Sequence, residues 1–104
     1  MHTYHVYLLT NIKRNVMYVG VTNNLLNRVA DHRSGRGGAF TRQYKVHVLV
    51  HAEEYQYIEE AIAREKQIKG WRRSKKDALV SVSNPTWADL LEMEFAKGPS
   101  LRSG

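Results

Sequence analysis

The 104-residue sequence contains no cysteine, which excludes disulfide bonds and thiolate chemistry and is compatible with a reducing cytosol. It also lacks an apolar run long enough to cross a membrane, and a strand pattern begins directly after the first residues, so we expect no signal peptide. The length suits one hydrophobic core but not two. We therefore expect a single cytoplasmic domain over residues 1–97 and a flexible tail over residues 98–104.

Acidic residues are the charged group in short supply. Sixteen lysines and arginines stand against ten acidic residues, which gives a formal net charge of +6 and a pI near 9.8. This excess favours a polyanionic partner such as nucleic acid, although many small soluble proteins are basic without binding one. The residues that we expect to contact a phosphate backbone are Arg36, Arg42, Lys69, Arg72, Arg73, Lys75 and Lys76.

Three segments have the β-branched and aromatic composition of strands, namely residues 4–10, 16–22 and 45–52. Asn11–Asn15 between the first two predicts a hairpin turn. A tight turn would place Leu9 opposite Val16 and Tyr7 opposite Tyr18. Both tyrosines would then lie on one face of the sheet, about 5 Å apart at Cβ. A slip of one residue would undo this arrangement.

Helical periodicity predicts helices over residues 24–33, 57–69 and 87–96, with a shorter helix that holds residues 78–80. Asn23 is the expected N-cap of the first helix, whose apolar stripe comprises Leu25, Leu26, Val29 and Ala30. Ser74 and Asp77 have the spacing of a capping box for the short helix. The Ser-Gly-Arg-Gly-Gly stretch at residues 34–38 predicts a flexible basic loop.

Glu65 is the most unusual position in the sequence. Helical spacing places it on the buried stripe of the second long helix, together with Ile58, Ala61, Ile62 and Ile68. A carboxylate there is costly unless something pairs with it. The partner is either a cation of the chain, such as Lys69 one turn on, which is the commoner case, or a divalent metal ion. The carboxylates expected to be solvated are Glu53, Glu54, Glu59 and Glu60.

Four further positions carry groups that can bind or move charge. Arg28 and His32 are four residues apart and share one face of the first helix. Tyr7 and Tyr18 are favoured strand residues, and each of the four, taken alone, fits a solvated or structural role. Gly20 weakens a strand unless another group must approach its backbone closely.

In their order and spacing these positions resemble the GIY-YIG nuclease family, particularly its small stand-alone members. The motifs that carry the resemblance are His5-Val6-Tyr7, Tyr18-Val19-Gly20, Arg28 with His32, Ala63–Lys69, Gly70–Lys76 and Asn84–Trp87, within residues 3–95. The first signature departs from the family pattern, since only its tyrosine is kept. Several family enzymes also use an asparagine near the end of the domain, and Asn84, expected at a helix start, is no clear counterpart.

The resemblance implies an α/β fold of the α+β type, with a small central three-stranded antiparallel sheet flanked by helices. It also implies an active site in which Glu65 binds one Mg²⁺ or Mn²⁺ ion and Arg28 binds the scissile phosphate. Tyr7 or Tyr18 would be the base, with Tyr7 preferred and Tyr18 contacting phosphate, while His32 assists proton transfer. The implied substrate is DNA, with RNA as the alternative, and no small-molecule cofactor is needed.

Three functions are therefore open. The first is a metal-dependent endonuclease, selective for DNA structure more than sequence, that acts in repair or recombination. The second is a nucleic-acid-binding module of the same fold that cuts poorly or not at all, and the third is a basic protein-interaction domain. The set of two tyrosines, an arginine, a histidine and a glutamate favours the first, because binding alone needs no carboxylate among cations. The sequence leaves the oligomeric state open.

Overall fold

The computed structural model describes residues 3–92. Three strands form one antiparallel sheet in the order β2-β1-β3, and they comprise β1 (Tyr4–Thr10), β2 (Met17–Thr22) and β3 (Val48–Tyr55). Within residues 3–92, four helices of six residues or more accompany the sheet, namely α1 (Leu25–Ser34), α2 (Ala39–Tyr44), α3 (Ile58–Lys69) and α4 (Arg73–Ser83). The expected α+β fold is confirmed. No helix within residues 3–92 is long and apolar enough to span a membrane.

The two faces of the sheet are covered by different helices. On one face, side chains of β1 and β2 pack with α3 and α4, in a core that comprises Val6, Leu8, Val19, Val50, Ala61, Ile68 and Val80. On the other face, Tyr7 and Leu9 of β1 pack with Val29 of α1 and with Val46 and Leu49. Because side chains alternate along a strand, neighbours on β1 serve opposite layers.

The register of the hairpin differs by two residues from the tight-turn prediction. Tyr7 pairs with Gly20 and Leu9 pairs with Tyr18, so that Val16 lies in the turn. The turn is longer because the Asn11 side chain accepts hydrogen bonds from the backbone of both Asn15 and Val16. A slip of two residues preserves the face of every side chain. The two tyrosines therefore share a face as predicted, but as diagonal neighbours.

Helix α1 turns only part of the predicted stripe inward, since Leu25 and Val29 pack on the core but Leu26 and Ala30 are exposed. Its N-cap is Asn24, whose side chain accepts from the backbone of Asn27, and not Asn23. Leu26 is 61% exposed, and the buried residues of the helix are Val29 and His32. The imidazole of His32 thus occupies a core position, although His32 was not part of the predicted apolar stripe.

Several boundaries also differ from the sequence prediction. Residues 39–44, for which no element was predicted, form α2, and Lys45 closes it in the left-handed region. Strand β3 starts at Val48 and not at residue 45. Helix α4 already starts at Arg73, which places Ser74 inside the helix, where the proposed capping box cannot form. The last predicted helix, residues 87–96, starts too early, because residues 87–89 are not helical and Trp87 lies in the left-handed region. Residues 90–92 are helical, while residues 93–96 and the tail lie outside the described residues.

Glu53 of β3 is the centre of a polar network that ties α3 to the sheet. Its carboxylate accepts hydrogen bonds from Arg64 Nε and His51 Nε2, each at 2.8 Å, and from Tyr55 Oη at 2.9 Å. Burial acts to raise the pKa of Glu53, but these donors outweigh it and lower the pKa to about 2. The prediction that Glu53 is solvated was therefore wrong.

We expect Glu53→Gln to lower the free energy of unfolding by about 2–3 kcal/mol at pH 7, because the amide loses the ion pair with Arg64. The folded-state pKa lies below the unfolded one, so this stability is present above about pH 4.5 and is lost as the pH falls toward 2. Urea unfolding should thus show a smaller difference at pH 3.5 than at pH 7. The control is Glu54→Gln, whose side chain is 70% exposed. Equal losses at both pH values would contradict this account.

Candidate active site

The two signature tyrosines lie side by side on the α1 face of the sheet. The centroids of the Tyr7 and Tyr18 rings are 6.1 Å apart. The ring of Tyr7 lies over the backbone of Gly20, where a Cβ atom would be only 2.5 Å from Tyr7 Oη. Gly20 therefore leaves room for the Tyr7 phenol, which accounts for a glycine within a strand.

Arg28 of α1 reaches both phenols. Its guanidinium lies close enough to Tyr7 and Tyr18 to interact electrostatically with both phenols. Its Nη2 donates to the carbonyl oxygen of Gly37 at 3.2 Å. Burial acts to lower the pKa of Arg28, but the contacts with the two tyrosines outweigh it and raise the pKa further. A permanent positive charge is thus held beside two phenolic oxygens, in an arrangement suited to binding an anion.

His32 of α1 is the fourth side chain of this group. Its side chain is 2% exposed, Nε2 lies 3.1 Å from Tyr7 Oη, and Nδ1 lies 3.1 Å from Thr41 Oγ1. Thr41 donates its own hydroxyl hydrogen to the carbonyl oxygen of Gly38 at 3.3 Å, so it accepts from His32 Nδ1–H. Nε2 is then unprotonated and accepts the hydrogen of Tyr7. We call Tyr7, Tyr18, Arg28 and His32 the tyrosine cluster.

The pKa values of Tyr7 and His32 keep both side chains neutral near pH 7. Burial is the main cause that raises the pKa of Tyr7 to about 12. The proximity of Tyr18 raises this pKa further, while Arg28 acts to lower it. Burial and then the Arg28 charge lower the pKa of His32, which Asp31 only partly offsets. Tyr7 by itself is therefore a weak base, and its proton has a ready acceptor in the neutral imidazole.

Two residues around His32 were missed by sequence reasoning. Thr41, 2% exposed, fixes the imidazole through its hydroxyl, and the backbone of Gly37 packs so closely on the ring that a Cβ there would collide with Nδ1. Thr41 lies in a helix of six residues that lacks a readable apolar period, so the sequence carried no signal for it. The glycine-rich loop was interpreted as flexible, although part of it covers the cluster.

Glu65 is buried as predicted, but it belongs to another layer of the fold. It is 8% exposed and forms an ion pair with Lys69 one turn further on, one of the cations that the sequence offered as a partner. Its stripe neighbours Ala61 and Ile68 pack on the sheet face opposite to Tyr7. Helix α3 packs across β1 and β2, and β2 is an edge strand. The structure thus gathers four of the five predicted residues on one face and places Glu65 on a helix over the other face.

The carboxylate of Glu65 is suited to a single hard cation that takes most of its ligands from water and substrate. Within residues 3–92 no three histidine, cysteine or carboxylate side chains come together to form a cage made by protein alone. Mg²⁺ is commonly bound through one or two carboxylates with waters and phosphate oxygens. The carboxylate of Glu65 meets this requirement, since Lys69, its ion-pair partner, has a side chain that is 54% exposed and can move away.

The basic residues predicted to contact phosphate fall into two groups. Arg36, Arg42, Arg72 and Lys75 are exposed, although Arg36 Nη2 lies 3.5 Å from Asp31 Oδ1 and Lys75 Nζ lies 4.5 Å from the centroid of the Trp71 ring. Others have partners within the fold: Lys69 pairs with Glu65, and Arg73 with Asp77, at 2.7 Å from its Nε. Lys76 is half-buried.

Asn84 has a structural position that differs from the predicted helix start. It is 5% exposed and ends α4 as its C-cap residue. Its Nδ2 donates to the carbonyl oxygens of Val50 and Ala88, at 3.1 and 2.9 Å. These bonds hold the end of α4 against β3, so they account for the asparagine without a catalytic role.

Comparison with known proteins agrees with the fold and the motifs. A family model described as the GIY-YIG catalytic domain matches residues 3–77, and the chain belongs to the GIY-YIG family. This membership indicates the endonuclease superfamily.

Within the family, the chain is similar to UPF0213 proteins. One from Natronomonas pharaonis is 37% identical over 78 residues, which cover 75% of this chain and 91% of the relative. One from Staphylococcus haemolyticus is 36% identical over 76 residues, with 73% and 92% covered. The solution NMR structure of a UPF0213 protein from Bacillus halodurans superimposes with a TM-score of 0.55 at 30% identity, covering 85% of this chain and 93% of that one.

Proposed function

We propose that this protein is a metal-dependent endonuclease that hydrolyses phosphodiester bonds in DNA. The observation that carries the proposal is the tyrosine cluster, in which the Tyr7 hydroxyl lies 3.1 Å from Nε2 of a buried imidazole and the Arg28 charge acts on both phenols. These groups stand at the motif positions of a nuclease family. The net charge of +6 gives the attraction to a polyanion that such an enzyme needs.

The residues of the cluster have complementary roles in this proposal. Arg28 binds oxygens of the scissile phosphate with its forked donors and offsets the charge that grows there, while Tyr18 donates to the same phosphate. Tyr7 accepts a proton from the attacking water as it passes its own proton to His32 Nε2. This coupled transfer avoids a free phenolate, which a pKa of about 12 disfavours.

Glu65 would hold the Mg²⁺ or Mn²⁺ ion, which when bound supplies Lewis-acid stabilisation of the phosphoryl charge. The buried carboxylate is available for this once Lys69 turns toward solvent or toward a phosphate of the DNA. Further contacts with the DNA backbone come from four exposed cations, Arg36, Arg42, Arg72 and Lys75. So small a domain has little surface for reading bases, so we propose selectivity for DNA structure and a role in repair or recombination.

The ion pair of Glu65 with Lys69 also supports a second candidate, a nucleic-acid-binding module in which this carboxylate is structural. Incubation of the purified protein with supercoiled plasmid separates the two. The nuclease proposal predicts open-circular product with Mg²⁺ or Mn²⁺ and none with a chelator. Salt-sensitive binding to DNA without cleavage of DNA or RNA under any metal condition would favour the binding module instead.

Thr41→Val should reduce cleavage by about tenfold, because the methyl group cannot accept from His32 Nδ1–H and no longer favours the tautomer with unprotonated Nε2. The ¹⁵N shifts of the His32 ring measure that change directly, and Thr41→Ser should restore both the shifts and the rate. We expect a loss of stability of about 1–2 kcal/mol from the unpaired buried N–H. Full activity in Thr41→Val, with altered ring shifts, would show that the tautomer does not matter.

A further inference from the structure

Helix α2 has two faces with different properties. Thr41 points inward to His32, whereas Phe40 and Tyr44, four residues apart, are 48% and 44% exposed. Their ring centroids lie 5.0 Å apart with a tilt of 51°. Two large aromatic rings are thus presented to solvent on the helix that also positions the buried imidazole. The core does not account for them, so they are candidates for contact with a ligand.

Beside Tyr44 lies an open groove of about 510 Å³, between the end of α2 and the turn that joins β1 to β2. The residues that line it are Asn11, Ile12, Lys13, Asn15, Val16, Gln43, Tyr44, Lys45 and His47. They provide an aromatic ring, two ammonium groups and side-chain amides, and no carboxylate is among them. Ile12, 81% exposed, adds an apolar edge.

This composition selects one class of ligand. Proteins bind unpaired nucleotides by stacking bases on aromatic rings while cations follow the backbone, and Tyr44 with Lys13 and Lys45 supplies both parts. An amide such as that of Gln43 can donate to and accept from the edge of a base. A stacked base pair in an intact duplex would not offer its faces to Phe40 or Tyr44. The groove is therefore suited to a single strand and not to a double helix.

We propose that the Phe40–Tyr44 pair and the adjacent groove bind unpaired nucleotides of the DNA substrate. This inference rests on the proposed nuclease function and makes it more specific: the substrate contains a single-stranded segment next to the bond that is cut. The geometry connects the two sites, because Thr41 is less than one helical turn from Tyr44 along α2, about 4.5 Å of rise. A base on Tyr44 would thus hold its strand close to the tyrosine cluster.

Fluorescence anisotropy with a labelled mixed-sequence DNA 12-mer, single-stranded or annealed to its complement, tests the inference. All measurements are made with a chelator, so that binding is read without cleavage. We expect the double variant Phe40→Ala with Tyr44→Ala to bind the single strand about tenfold more weakly than the wild-type protein, with less than a twofold change for the duplex. Tyr44→Phe, which keeps the ring, should bind the single strand like the wild type.

Tyr57→Ala is the matched control, because Tyr57 is 61% exposed but lies at the start of α3 and does not line the groove. It should leave both affinities unchanged. Wild-type affinity of the double variant for the single strand, an equal loss for the duplex, or an equal loss in Tyr57→Ala would each overturn the inference. Circular dichroism verifies that the variants are folded. Ring-dependent binding in a protein that never cleaves DNA would refute the nuclease function but keep this site.

Discussion

Glu65→Gln is expected to reduce metal-dependent cleavage of plasmid DNA by at least about 10²–10³-fold. The amide has nearly the same volume as the carboxylate but carries no charge, so it cannot hold a divalent cation against water. We expect the variant to fold, since its neighbours Ala61 and Ile68 still fill the core. The measurement is the initial rate of nicking with Mg²⁺ and with Mn²⁺, together with the thermal unfolding midpoint of each protein.

The control for this change is Glu60→Gln, on the same helix but exposed to solvent. It should cleave at the wild-type rate, which excludes a general effect of removing one negative charge from α3. If Glu65→Gln instead kept its activity and lost only stability, the carboxylate would serve as a structural partner of Lys69. The binding-module function would then be the better account of this chain.

Arg28→Ala is the second change with a large expected effect, a loss of cleavage of about 10²–10³-fold with the fold retained. The substitution removes the charge next to Tyr7 and Tyr18 and the donor to Gly37, while the core residue Val29 stays in place. Arg28→Lys keeps the charge without the forked donors and should recover only part of the rate. Nicking rates and circular dichroism on the same preparations measure both effects.

Lys66→Ala serves as the control for charge alone, because Lys66 is exposed on α3 and away from the tyrosine cluster. Its effect on nicking should be small and should disappear at saturating DNA. If Arg28→Ala proved unfolded while Lys66→Ala remained native, Arg28 would be a structural residue. An active and folded Arg28→Ala would remove the phosphate-binding role that the proposal gives to it.

The sequence was informative where periodicity and burial coincide. The common face of Tyr7 and Tyr18 followed from strand alternation, and it survived a wrong register because a shift of two residues keeps each face. The inward position of Glu65 followed from helical spacing, which also offered Lys69 as one possible partner. The family resemblance is confirmed by the match over residues 3–77, and it led us to expect the two tyrosines and Glu65 in one active site.

Other features depend on tertiary contacts that local patterns do not encode. The burial of His32 results from the loop and α2 folding over it, and neither Gly37 nor Thr41 has a sequence signal for that contact. The polar network of Glu53 likewise depends on Arg64 from another element. Glu65 and Tyr7 lie in different layers because α3 and α1 pack on opposite faces of the sheet, which the local sequence pattern does not determine.

We propose that the buried carboxylate of Glu65 holds a divalent cation that acts together with the tyrosine cluster. Electron paramagnetic resonance of Mn²⁺, titrated into the protein with a short DNA duplex present, tests it most directly. We expect one bound ion per chain in the wild-type protein and in Glu60→Gln, with affinity at least about tenfold lower in Glu65→Gln. Equal Mn²⁺ affinity in the wild type and Glu65→Gln would contradict it.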